Sequence, residues 1–122
     1  MKYMLLIYLD EKAWTSLSDA EQQQIMAGCT PHVEELLASK KFLGGARLHP
    51  TSTAATVRLR DGRRLVTDGP FAETREQLGG YTLIDAKDMD EAIRIAAGFL
   101  GTKSQAIIEI RPVVELKEIP TH

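Results

Sequence analysis

Cysteine is almost missing from this chain: Cys29 stands alone among 122 residues, so no disulfide can form within it. The fold must be held by packing, which fits a reducing cytoplasm, the expected location. Long apolar runs are missing too. The run from Tyr3 to Leu9 falls far short of the ~20 residues that span a bilayer, and Asp10, Glu11 and Lys12 follow it at once. No small-residue cleavage pattern comes after it, so the run reads as a buried strand of an unprocessed chain and not as a signal segment.

There is no excess of positive charge either. A formal net charge of -2 leaves no basic footprint, so nucleic acid is not an expected partner, and neither is a membrane. No two of the three histidines stand at metal-ligand spacing, and Cys29 falls on a helix face expected to be buried. Neither a metal nor any other cofactor is therefore expected. Linkers, internal repeats and low-complexity segments are absent, and residues 1–122 read as one domain. That length buries a core without staples.

What the chain does contain is a readable order of strands and helices. KYMLLIYL (2–9) is apolar at nearly every position, as in a strand covered on both faces. Ser18 and Glu21 stand at capping-box spacing, and Ile25, Met26, Cys29, Val33, Leu36 and Leu37 then recur at helical spacing. Pro31 predicts a kink or a second segment capped by Thr30, and Gly44 and Gly45 are expected to close this helical region. Strands are predicted at 46–49, 56–60, 63–67 and 81–85, with Asp61-Gly62 as a hairpin turn. Asp88 and Glu91 repeat the capping spacing ahead of a second helix. Its expected core face is Met89, Ala92, Ile93, Ala96 and Phe99, and Gly101 is its stop. In the last strand, 106–116, Pro112 marks an edge or a break.

This order is the ferredoxin-like βαββαβ plan with an extra β-hairpin, an α+β fold. Both helices should cover one face of an antiparallel sheet. A large bare apolar face is unusual in a monomer, so a homodimer is expected.

The run LVTDGPFAETREQLGGYTLID (65–85) resembles the signature of the DGPF family of the YCII-related superfamily. The likeness takes in the KYMLLIY start, ATVR before the hairpin, DMDEAIRIAA and the closing EIRPV, which is nearly the whole chain. It implies a dimeric α+β barrel in which two ferredoxin-like sheets enclose a cleft. It implies no agreed reaction. Members of the family often occur beside sigma-factor genes, and wider YCII relatives are similar to small enzymes whose site pairs a helix histidine with an aspartate.

Two roles are open to Asp68. Its carboxylate can bond nearby amides and set the Gly69-Pro70 turn, or the turn can hold it in a cleft as a general base. His32 holds the chain position of the helix histidine in YCII relatives and would pair with Asp68; otherwise it is a helix-surface histidine. Four further residues are candidates for contacting a ligand. Phe71 is an aromatic beside the acid, Glu76 the acid of the mixed-charge run best placed to point inward, and His49 ends a strand. Arg111 offers a fork for an anionic group, unless Glu109 takes it as an ion pair. Gly79-Gly80 lacks the Lys-Ser/Thr of a P-loop and reads as a bulge or close backbone approach.

The expected function is to bind a small organic ligand, anionic if Arg111 takes part, in a dimer-associated cleft. Cofactor-free acid–base catalysis by Asp68 and His32, of an isomerase or hydrolase kind, is one form of it. The alternative is a non-catalytic ligand-sensing or protein-interaction accessory module associated with sigma-factor signalling.

Overall fold

A computed structural model describes residues 1–101 and 104–115. His122 and the predicted end of the last strand at Leu116 lie outside them. In chain order the elements are β1 (Lys2–Asp10), α1 (Glu11–Thr15), α2 (Asp19–Ala38), β2 (Phe42–Arg47), a 3-10 turn (Thr51–Thr53) and β3 (Ala55–Arg60). There follow β4 (Arg63–Asp68), β5 (Glu76–Asp85), α3 (Met89–Leu100) and β6 (Ile107–Pro112). Four strands form one antiparallel sheet in the order β2-β5-β1-β6, and β3 and β4 pair only with each other. With that hairpin set aside, this is the ferredoxin-like α+β plan. Pro112 does sit on an edge strand. No helix among the described residues is long and apolar enough to cross a membrane.

The helix starts follow the sequence closely. The Ser18 hydroxyl accepts from the Glu21 amide at 3.1 Å while the Glu21 carboxylate accepts from the Ser18 amide at 3.0 Å, a complete capping box. The Asp88 carboxylate caps α3 by accepting from the Glu91 amide at 2.9 Å. α2 runs unbroken through Pro31, with no second cap at Thr30. Pro31 and Ala27, whose carbonyl loses its helical donor to the proline, are both exposed, so water can serve the freed carbonyl.

The last strand, expected over 106–116, runs only from Ile107 to Pro112, and three further features differ from the sequence reading. The helical region ends at Ala38, and Gly44 and Gly45 lie inside β2, which starts at Phe42. In α3 the buried positions are Ala92, Ile95 and Ala96, so Ile93, a residue away from this i, i+3, i+4 stripe, is turned outward. β5 begins at Glu76, five residues before the predicted start, and absorbs the glycine pair through a bulge: Ile7 pairs with Gly80 and Tyr8 with Leu78. The expected bulge is thus real, with Gly79 as the extra residue. A Cβ there would lie 2.4 Å from Leu9 Cδ2, so the chains close up only around glycine.

Both helices pack on the sheet face that carries Tyr3, Leu5 and Ile84. With Leu36, Ala92, Ile95 and Ala96 these form the core. β1 was expected to be covered on both faces, but within one chain it is covered on one only: Met4, Leu6 and Tyr8 point away from the helices and are half-buried. The hairpin turns at Asp61 (φ 52°) and Gly62 (φ 75°), the pair of positive φ angles that matches strand twist. Its Val57 and Leu59 share a face yet remain 62% and 74% exposed, so the hairpin projects without joining the core.

Candidate functional site

The open sheet face is defined by strand register. Met4 lies opposite Leu83 and Arg111, Leu6 opposite Tyr81 and Glu109, and Tyr8 opposite Leu78 and Ile107. Opposed residues share a face, so one surface carries an apolar field with a small polar group at the β1–β6 side. The group has internal order. The Tyr8 hydroxyl donates to Glu109 Oε1 at 3.2 Å. Desolvation, and then the Glu109 negative charge, raise the Tyr8 hydroxyl above its ordinary pKa of 10.0. It therefore stays a hydrogen-bond donor throughout the neutral range. Arg111 stands on the same face, and among the described residues no carboxylate lies within ion-pair distance of it. The alternative expected for Arg111, an ion pair with Glu109, is not made; Glu109 is engaged by Tyr8 instead.

The other sequence candidates sit elsewhere. His32 packs between α2 and α3: its Nε2 is 2.8 Å from the Ile95 carbonyl oxygen, and its ring meets Phe99 edge-on at 4.7 Å. Asp68 ends the exposed hairpin, paired with Ala55. No hydrogen bond or ion pair joins it to His32 among the described residues, so one chain by itself does not assemble the acid–base pair. The turn after Asp68 is not held by its carboxylate. The Gly69 amide donates to the Ala54 carbonyl at 2.7 Å, and the Gly69 carbonyl accepts from Thr56 Oγ1 at 2.8 Å.

Phe71 is 80% exposed on the loop that follows. Glu76 opens β5 opposite Asp10 and faces solvent, and Arg75 pairs with Asp10 at 3.3 Å. The Asp10 carboxylate also accepts from the Ala13 and Lys12 amides as the cap of α1. The Ala13 amide first, and then Arg75, lower its pKa. His49 lies at the exit of β2, in a hollow on the helix side of the sheet with Arg47 and Trp14. The described residues contain no group of three or more His, Cys, Asp or Glu arranged to hold a metal ion.

Tyr8 and Glu109 were not among the sequence candidates. The signal was there: Leu6 and Tyr8 share a parity within KYMLLIYL, as do Glu109 and Arg111 within IIEIRP. What period two could not supply was the register that brings the two strands together.

Residues 1–117 match the model of the YCII-related domain. Over 124 aligned residues the chain is 37% identical to a protein of Rhizobium meliloti (strain 1021) that is itself described as uncharacterized, with 99% of this chain and 100% of the relative covered. On that match and that relative, the chain belongs to the YCII-related domain family.

Proposed function

We propose that the protein works as a homodimer that binds a small organic anion in a cleft formed where two open sheet faces meet. The observation that carries this reading is the polar group on an otherwise apolar, uncovered face. Tyr8 and Glu109 hold each other by a hydrogen bond, and beside them Arg111 makes no ion pair among the described residues. An arginine fork without a carboxylate is suited to a carboxylate or phosphate brought by a ligand. Two further observations support a second copy. Large apolar side chains remain open on the sheet face, with Tyr81 and Ile107 among them, and on the hairpin. Covering such surface drives stable association.

The Tyr8–Glu109 pair favours binding over proton abstraction by the tyrosine, because its hydroxyl keeps its proton. Sedimentation velocity at micromolar concentration tests the assembly: a dimer is expected for the native chain and a monomer for Leu6→Glu. A thermal-shift screen with small carboxylates and phosphates tests the ligand, since binding to the folded state raises its stability. If no stabilising anion loses its effect in Arg111→Ala, the assignment of Arg111 is refuted, and a native monomer refutes the cleft.

A further inference from the structure

A second site is suggested on the opposite side of the sheet, where the helices lie. Trp14 of α1 and Arg47 at the end of β2 form a cation–π pair, with the guanidinium carbon over the indole, 5.4 Å from its centroid. Two adjoining hollows share this pair. One, of about 250 Å³, is walled by Leu9, Leu48, Pro50 and the side-chain-free Gly79, with His49 also lining it. The other, of about 400 Å³, runs along the start of α2 past Asp19, Gln22 and Met26.

The charges in this groove are unevenly engaged. Glu11 lines the smaller hollow, but one of its oxygens accepts from the Thr51 amide at 2.9 Å and the other from the Thr51 hydroxyl. It is a latch for the turn at Thr51–Thr53. Asp19 lies in the first turn of α2, where the helix dipole favours a negative charge. Arg47 is different. Among the described residues it has no carboxylate within ion-pair distance, and its position over the Trp14 ring keeps a cation beside the indole with N–H donors that a ligand can use.

We propose that this groove binds a small organic carboxylate with a flat apolar body. The carboxylate accepts from the Arg47 fork, and the body lies against the indole and the Leu9, Leu48 and Pro50 walls. The smaller hollow falls below the roughly 300–1,000 Å³ of pockets for drug-sized ligands, so the body is about one ring in size. The site does not depend on the cleft proposed above, since it uses neither the open sheet face nor a second copy.

Trp14 is the only tryptophan in the chain, so the tryptophan emission comes from a side chain in this groove. The test is a titration of the full chain with benzoate, and with benzamide as an uncharged probe of the same shape. Benzoate is expected to change the Trp14 emission saturably. Benzamide should bind at least about tenfold more weakly, and Arg47→Gln should weaken benzoate by a similar factor while the melting transition stays in place. Arg47→Lys, which keeps the charge without the fork, should fall between. Should Arg47→Gln not fold, the benzoate–benzamide comparison in the native chain and Arg47→Lys still decide. A response that does not saturate, equal binding of the two probes, or undiminished benzoate binding in Arg47→Gln overturns the proposal. Loss of the signal in Arg111→Ala with Arg47→Gln unaffected overturns it too, by moving the ligand to the open sheet face.

Discussion

His32 Nε2 lies 2.8 Å from the carbonyl oxygen of Ile95. A carbonyl can only accept, so this nitrogen carries the proton, and the histidine ties α2 to α3. Phe99 meets the ring on its edge, and Gly98 leaves the space it occupies: a Cβ on Gly98 would lie 2.4 Å from His32 Cε1.

A double-mutant cycle follows from that contact. His32→Ala should destabilise the fold by about 1–3 kcal/mol through the lost hydrogen bond and packing. Gly98→Ala alone should cost about 1–3 kcal/mol by overpacking against the ring. With His32→Ala already in place the clash is gone, and Gly98→Ala should instead stabilise by up to ~1 kcal/mol, the helix preference of alanine over glycine. Urea denaturation of the four proteins measures the coupling. Additive effects would mean that the ring and Gly98 do not compete for space.

Acid should weaken the start of α3. The Glu91 carboxylate accepts from the Lys87 amide at 3.2 Å and from Lys41 Nζ at 3.3 Å. The amide of Lys87 first, and then Lys41, hold its pKa below the ordinary 4.5, although partial desolvation works the other way. A folded-state pKa below the unfolded one contributes stability that is present above the unfolded value and lost as pH falls through the folded value. Glu91→Gln should therefore melt lower than the native chain at neutral pH, and the gap should close as pH drops below 4.5. A gap that stays constant into that acid range would show that the charge of Glu91 is not what the fold uses.

The two glycines of β2 should respond unequally. A Cβ on Gly44 meets nothing within 4 Å, whereas one on Gly45 would lie 2.6 Å from the Tyr81 backbone oxygen on the neighbouring strand. Backbone cannot step aside as a side-chain tip can. Gly45→Ala should cost about 1–3 kcal/mol and Gly44→Ala far less, as read from thermal melts. Equal losses would refute the close approach of β2 to β5.

Much of this fold was legible one element at a time. Ser18 with Glu21 and Asp61-Gly62 are local signals whose physics is complete within a few residues, and each does what its spacing predicted. Asp88 caps α3 as expected, but Glu91 completes the box on the Lys87 amide and not on that of Asp88. The start of β2 was misjudged because Gly44-Gly45 reads as the end of a helical region, and that of β5 because the bulge at Gly79-Gly80 lies inside the strand and not at its beginning. Here Gly45 lies where β2 approaches β5 closely, and Gly79 forms the bulge between β5 and β1. Site residues were harder for the same reason. Arg111 and His49 could be singled out by chemistry, but Tyr8 meets Glu109, and Arg47 meets Trp14, only after strand register and helix docking are set. The histidine of α2 was visible; the α3 carbonyl that holds it was not.

The middle of the sheet is also the first of its strands to be synthesised. Tyr3 pairs with Ile84 on one side and Pro112 on the other, so β1 has no neighbour until most of the chain exists. The α2 helix and the β3–β4 hairpin need only local contacts and can form long before. Sequence-distant pairing of this kind slows folding, because a large loop must close before any contact rewards it. During synthesis, KYMLLIYL therefore waits as an apolar strand with two unsatisfied edges, the kind of segment that aggregates when left exposed. The stretch that organises the finished molecule is the one most in need of shelter while the molecule is being made.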